Sequence, residues 1–265
     1  MTTLKILTYN IRTLYQSPVD GVNSFIHRAG MILDKIDGEK PHIICFQEVS
    51  DSIRNFLNKY LIDYVVVGHG RLENYCGEGL SIAYRKDSME LLSLEHFWLS
   101  PTPYIPATRY EIQSEYPRIC PAALIKHKEM KKPLKIYNVH LDHISDEARI
   151  LGVKQIIKKI SEEKKIISFP TMIMGDFNAF PESETIDFCK KNAECELIDL
   201  SETSGGTFHS FGGRSENVAT GKKIDYIFAD KETAGKTYSI TKWEDCFNGI
   251  YLSDHYPILL EINFE

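Results

Sequence analysis

The chain has 265 residues, 43% hydrophobic and 26% charged, with a formal charge of −6 and a pI near 5.9. Such a composition can bury a large core and lacks the basic surplus that drives non-specific binding to duplex DNA. No stretch approaches the roughly 20 apolar residues needed to span a bilayer, and MTTLKILTYN has neither the basic start nor the long apolar run of a signal peptide, so no membrane is expected among its partners.

Strand-like segments rich in Ile, Val, Tyr and Phe, bounded by Gly, Pro, Asp or Asn, begin at 4–9. A helix opens at Asn23-Ser24, with Phe25, Arg28-Ala29, Ile32-Leu33 and Ile36 at helical spacing. A strand at 42–46, a helix at 53–60, and strands at 64–67, 80–84, 89–98, 122–125 and 134–139 follow. Ser145 can cap a second clear helix whose apolar face is Ile150-Leu151, Val153, Ile156-Ile157 and Ile160. Its end, KKISEEKK at 158–165, has the lysines of a nucleic-acid patch, but Glu162 and Glu163 inside the run favour a solvated helix end. The pattern closes with a strand at 171–174, a short helix after Ser183, and strands at 224–228 and 256–262. No repeat or Pro/Ser-rich linker divides the chain, so 1–265 is expected to form one domain of mixed sheets packed together, with helices outside.

The cysteines, at 45, 76, 120, 189, 195 and 246, form no C-x-x-C pair, and several lie in apolar runs, as in HIICFQEV. They read as reduced thiols, several of them buried as small hydrophobes, in a cytoplasmic protein.

Nearly every core-like strand ends in polar residues. ILTYNIR ends in Asn10, IICFQEV in Gln47-Glu48, IYNVHLDH in His140 and Asp142, and MIMGDFN in Asp176 and Asn178; Asp225 starts one strand and Asp254-His255 precede the last. Any one of these alone is ordinarily a turn former or loop pair. Together, hard oxygen ligands suit Mg²⁺ or Mn²⁺ better than zinc, and histidines beside acids can move protons near neutral pH. That is equipment for hydrolysing a phosphate ester.

TYNIR, FQEV, NVHLDH, GDFNAFP, KIDYIF and LSDHYPI occur in the order expected of the endonuclease/exonuclease/phosphatase superfamily, which the chain resembles from residue 5 to residue 260. FWLSPTP, PRIC and GTFHSF resemble a bacterial subgroup of it nearest the deadenylase-like branch. The resemblance implies a DNase-I-like α/β fold, a four-layer α/β/β/α sandwich of two mixed β-sheets flanked by helices. It also implies a divalent-metal site with Glu48 as the principal ligand, Asn10 beside it and Asp254 nearby. Asp176 and Asn178 would hold or activate the attacking water, Asp225 would orient His255, and His140 would bind the phosphate or assist proton transfer. Whether Asp176 or His255 takes the water's proton stays open. Asp225 should favour the charged form of His255, and Gly175 should let the chain pass tightly behind Asp176.

Asn10, Arg118, Asp142, His143, Phe208 and His209 are the candidate substrate contacts. Arg118 binds phosphate or forms a structural ion pair, while Phe208 and His209 stack on a base or sugar or merely anchor their loop. Trp98 reads as core. The expected activity is an Mg²⁺-dependent phosphoesterase acting on a small phosphodiester, a phosphomonoester or a short single-stranded RNA or nucleotide, with no obligate protein partner. The alternatives are a 3′ to 5′ RNA exonuclease and a non-catalytic scaffold of the same fold.

Overall fold

Along strand β1 (Thr2–Asn10), Leu4 and Ile6 face one way, Leu7 and Tyr9 the other, and all four are buried. A strand buried on both faces must lie between two layers. In the computed structural model, which describes residues 2–213 and 219–264, β1 leads to α1 (Ser17–Asp20), α2 (Phe25–Glu39), β2 (Ile43–Val49), α3 (Asp51–Tyr60), β3 (Tyr64–Gly70), β4 (Gly79–Arg85) and β5 (Met89–Trp98). Next come β6 (Ile119–His127), β7 (Leu134–His140), α4 (Asp146–Ile166), β8 (Thr171–Asp176), α5 (Glu184–Lys191) and β9 (Leu197–Asp199). The chain continues through β10 (Asp225–Asp230), α6 (Lys231–Ala234), β11 (Tyr238–Lys242), the hairpin β12 (Cys246–Phe247) and β13 (Ile250–Tyr251), and β14 (Ile258–Phe264).

One six-stranded sheet runs β11-β14-β1-β2-β4-β3 and the other β5-β6-β7-β8-β10-β9. Both are mixed, with β1–β2 and β7–β8 parallel inside otherwise antiparallel sheets. Leu4, Ile6, Ile43, Cys45 and Ile82 of the first sheet share one core with Ile125, Ile136, Met172, Met174 and Ile227 of the second, so the sheets lie face to face. Leu7, Ile44 and Phe46 on the outer face of the first sheet meet Ile32 and Ile36 of α2 and Ile53 and Leu57 of α3. Tyr137, Ile173 and Phe228 on the outer face of the second meet Val153, Ile156 and Ile160 of α4 and Ile186 of α5. The four layers expected from the sequence are all present. Each fully buried aliphatic side chain contributes about 1.5–3 kcal/mol, whereas exposed pairs such as Lys158–Glu162, 4.0 Å apart, contribute little. The lysine run at 158–165 is accordingly a solvated helix end lying within α4.

Two helices begin as the sequence suggests, Ser145 and Ser183 accepting from the backbone N–H of Ala148 and Ile186, while α3 begins two residues before the expected Ile53, capped by Ser50, which accepts from Ile53 N–H. Ser24 precedes α2 without a side-chain cap. Trp98 is buried. All six cysteines are free, and no helix among the described residues is long and apolar enough to cross a membrane.

Between the sheets the apolar core gives way at one end to a polar layer. Gln47 donates to Asn138 Oδ1 (2.8 Å) across the sheet interface, and Asn138 donates to Phe46 O (3.0 Å) and Ser81 O (3.1 Å). The last strand starts two residues later than its sequence pattern implies, because Tyr256 N–H is spent on Thr207 O and Pro257 has no N–H to give. Strands β9 and β11 and the β12–β13 hairpin were not anticipated: β9 and the two hairpin strands are only two or three residues long, and β11 is a largely exposed edge.

Candidate active site

The same alternation that buries Leu4, Ile6, Met172 and Met174 continues one step beyond the core. It brings Asn10 on β1, His140 on β7, Asp176 on β8 and Asp225 on β10 to one edge of the inter-sheet space. Register aligns them: His140 pairs with Asp176 across the parallel β7–β8 ladder and Asp225 with Asp176 across β8–β10. Gly175, one residue earlier, has φ +142°, and a Cβ there would lie 2.0 Å from Val139 O, so glycine alone allows this spacing.

Glu48 reaches the same edge by another route. On a regular strand its side chain would face opposite Gln47, but Glu48 has φ +60° and lies where the β2–β4 register shifts, a β-bulge that re-aims it. Its Oε1 accepts from Asn10 Nδ2 (3.1 Å) and Oε2 from Thr13 N–H (2.8 Å). Asn178 likewise leaves the strand: φ is +48°, its N–H donates to Asp176 Oδ1 (2.9 Å) and its amide to Leu141 O (3.1 Å). The pair therefore converges through an Asx turn and not through an extended chain.

Asp176 is central. Its Oδ2 accepts from Asn10 Nδ2 (3.0 Å) and stands 3.6 Å from His140 Nε2 and 3.8 Å from His255 Nε2. His255 Nδ1 is hydrogen-bonded to Asp225 Oδ2 at 2.9 Å. Burial opposes the charge on His255, but Asp225, with Asp176 and Asp254, overcomes it and raises the imidazole to about 10. Burial and the neighbouring Asp225 charge push Asp176 up to about 7. Burial and then the repulsion of Arg118 hold His140 well below its ordinary value, so the two histidines differ in charge near neutral pH.

Two loops are tied together beneath this group by Arg28 of α2, which is fully buried. It donates to Ile11 O (3.0 Å), Leu252 O (2.6 Å) and Asn23 O (2.6 Å), joining the segment after Asn10 to the one before Asp254-His255. Arg12, with φ +63°, bridges Asp20 (2.9 Å) and Asp254 (3.2 Å).

The site opens into a cleft of about 770 Å³ lined by Glu48, Asp176, Asn178, Asp254, His255, His140, His143, Arg118 and Phe208. Arg71, Glu78, Tyr116, Tyr15 and Phe180 also line it. None of these five carries a periodic signal in the sequence: Arg71 and Glu78 share the loop between β3 and β4, and Tyr15, Tyr116 and Phe180 come from three other connections. Arg71 binds Glu78 (2.8 Å) and lies 4.8 Å over the Tyr116 ring. Arg118 Nη2 is 3.0 Å from His143 Nδ1. Phe208 faces the His255 ring, with centroids 5.0 Å apart.

Two expected substrate contacts lie elsewhere. Asp142 is buried, and its oxygens are taken by Ser114 N–H (3.1 Å), the Ser114 hydroxyl, Ile144 N–H (2.9 Å) and Ser145 N–H (2.8 Å), which makes it the organiser of the β7–α4 turn. His209 stacks on Tyr256 (3.8 Å) and accepts from Gly212 N–H (3.0 Å), which leaves it anchoring its loop. Asn10 directs Nδ2 towards the acids of Glu48 and Asp176 while its Oδ1 accepts from Arg12 N–H (3.1 Å).

Among the described residues, Asp176, Asp225 and His255 place ligand atoms within 4.8 Å of one another. Because His255 is bonded to Asp225 and its charged form is favoured, this is an acid–imidazolium group and a poor cage for a cation. The oxygen corner formed by Glu48 and Asp254 fits a hard divalent ion better. Asp254 is buried and Glu48 half-buried, and burial and the Glu48 charge are among the influences that raise Asp254 above its ordinary value, the repulsion a cation would relieve.

The sequence profile of the Endonuclease/Exonuclease/phosphatase family matches residues 7–255. A solved endonuclease/exonuclease/phosphatase structure from Bacteroides vulgatus is 27% identical, with a TM-score of 0.88 over 100% of both chains. The mannosyl-6-phosphatase of Bacteroides thetaiotaomicron VPI-5482 is 24% identical, with a TM-score of 0.81 over 98% of this chain and 100% of that one. An uncharacterized protein of Acanthamoeba polyphaga mimivirus is 25% identical over 97% of this chain and 99% of its own. With its two mixed sheets flanked by helices and its profile match from Leu7 to His255, the chain belongs to the endonuclease/exonuclease/phosphatase family, whose members hydrolyse phosphate esters.

Proposed function

We propose that the protein is a divalent-metal-dependent phosphoesterase in which water attacks phosphorus in line. The observation that carries this reading is the convergence of Asn10 Nδ2 (3.0 Å), His140 Nε2 (3.6 Å) and His255 Nε2 (3.8 Å) on Asp176 Oδ2, with Glu48 bonded to the same Asn10 amide. Glu48 and Asp254 would hold Mg²⁺ or Mn²⁺, which supplies positive charge where negative charge builds on the phosphoryl oxygens. Asp176, fixed by the Asn178 N–H, orients the water and takes its proton as the new O–P bond forms. His255, steadied by Asp225, donates to a phosphoryl oxygen, and neutral His140 donates on the opposite side. The mannosyl-6-phosphatase among the structural neighbours supports a small phosphate ester as substrate.

A 3′ to 5′ RNA exonuclease is the second reading, favoured by the aromatic rings of Tyr15, Tyr116, Phe180 and Phe208 around the cleft, on which bases could stack. Hydrolysis of p-nitrophenyl phosphate, bis-p-nitrophenyl phosphate, single-stranded RNA, duplex DNA and an inositol polyphosphate, each with Mg²⁺ or Mn²⁺ and an EDTA control, separates the two. Stepwise RNA shortening selects the exonuclease. In either case Asp176→Asn, which removes a charge at nearly constant volume, should lower turnover about 10²- to 10⁴-fold with the fold intact; activity within a few-fold of wild type overturns the assignment.

A further inference from the structure

Every described arginine that lines the cleft except Arg118 can be followed to its counter-ion. Arg12 has Asp20 and Asp254, Arg71 has Glu78, and Arg149 has Asp146. Among the described residues Arg118 has no carboxylate within hydrogen-bond distance. Asp142 comes no nearer than 4.0 Å to Nε, and its oxygens are already occupied by Ser114, Ile144 and Ser145. Arg118 is only 4% exposed, yet its Nε and Nη1 have no hydrogen-bond partner among the described residues. The side-chain partner it has among the described residues is His143, itself at the cleft wall.

A buried guanidinium with idle donors is expensive to keep unless an anion completes it. Its planar fork matches the oxygens of phosphate. Beside it, between Arg71, Glu78, Leu80, Ile119 and His140, lies a recess of about 10 Å³, close to the least space that holds a single oxygen-sized probe. His140 belongs to both the recess and the reaction centre, standing 3.6 Å from Asp176. The empty donors and the small recess therefore adjoin the reaction centre at His140.

Building on the phosphoesterase reading, we infer that Arg118, supported by His143 and Arg71, seats the third non-bridging oxygen of a terminal phosphate, so that the enzyme is a phosphomonoesterase. A monoester carries three non-bridging oxygens and a diester two. In a diester the third position bears a carbon substituent, which can neither accept from Nε and Nη1 nor fit the recess. Water's oxygen bonds to phosphorus as the ester P–O bond breaks, Asp176 receives one of the water's protons, and that proton passes through solvent to the departing oxygen to give the alcohol, which returns Asp176 to its carboxylate form. Inorganic phosphate is the second product.

The test uses two esters with the same leaving group, p-nitrophenyl phosphate and methyl p-nitrophenyl phosphate, assayed with Mg²⁺ on wild type, Arg118→Met and Arg118→Lys. The wild type should prefer the monoester in kcat/KM. Arg118→Met should lower monoester kcat/KM by about tenfold to a hundredfold, the worth of a charged hydrogen bond, and diester kcat/KM by less than about threefold; Arg118→Lys should recover part of the monoester loss. Equal losses on both esters, or a wild type that prefers the diester, overturns the inference and leaves the phosphoesterase reading standing. Turnover of neither ester by wild type, with or without metal, overturns both. Should Arg118→Met fail to fold, inhibition of the wild type decides: inorganic phosphate should bind at least about tenfold tighter than dimethyl phosphate, and equal inhibition refutes the third-oxygen seat.

Discussion

Replacing Gly175 by alanine perturbs the placement of the reacting groups without touching their chemistry. The position has φ +142°, where an L side chain costs about 1–3 kcal/mol in backbone strain. The new Cβ would stand 2.0 Å from Val139 O, 2.9 Å from Val139 C and 3.0 Å from Val139 N, all backbone of the neighbouring strand in a buried ladder. Forcing an extra carbon into such packing costs about another 1–3 kcal/mol. A total near 4 kcal/mol lowers Tm by about 8–16 °C in a chain of this size, read by calorimetry or far-UV circular dichroism. Because Val139 pairs with Gly175 and His140 with Asp176, separating β7 from β8 also displaces the two reacting groups, and an ångström of displacement can cost about 10²-fold in rate. Gly30, helical and with nothing within 4 Å of its hypothetical Cβ, is the control: Gly30→Ala should leave activity unchanged and add about 0.5–1 kcal/mol of stability. A Gly175→Ala protein that melts within about 2 °C of wild type and keeps full activity would refute the close-approach reasoning.

The Asp225–His255 pair predicts a pH-dependent stability. His255 is raised in the folded protein, so the stability it contributes is fully present below its unfolded value of about 6.5 and is lost as pH climbs towards about 10. In EDTA-treated protein the urea midpoint of Asp225→Asn should therefore lie furthest below wild type near pH 6 and converge on it in alkali; a pH-independent difference would show that the pair is not charged. Glu48→Gln should weaken Mg²⁺ binding by about tenfold or more, since affinity follows ligand charge, whereas His209→Ala, which removes a ring stacked on Tyr256, should leave it within about twofold and lower stability by about 1 kcal/mol instead. Titration calorimetry giving the reverse order would relocate the metal.

The layers were legible because period-2 alternation on strands such as β1 and β8 writes both faces of a buried strand into the sequence. The same alternation carried Asn10, His140 and Asp176 to a common edge, so those side chains could be read as a group. Glu48 sits on the wrong parity for that rule, and the bulge that corrects it has no marker in FQEV beyond the glutamate itself. Asp142 misled because a carboxylate at a strand end looks the same whether it faces a substrate or its own turn, and only the Ser114 contact, 28 residues away in sequence, distinguishes the two. Arg28 fell at helical spacing among apolar residues, a sign of burial, but the carbonyls that neutralise it come from loops that spacing cannot reveal. Arg71 and Glu78 were missed for a similar reason: their pairing exists only once β3 and β4 have closed their hairpin.

Strands β1 and β14 are neighbours in the sheet, and Asn10 Nδ2 lies 3.4 Å from His255 Nε2 across 245 residues of chain. During synthesis from the amino end, β1 therefore waits with one edge unpaired until β14 has been made, and contacts of such long range are slow to form. For that interval the nascent chain exposes an apolar edge that invites pairing with other chains, and it has no assembled reaction centre. Activity should appear only when β14 docks on β1 and brings His255 to Asn10, which makes the onset of hydrolysis a direct report on that docking.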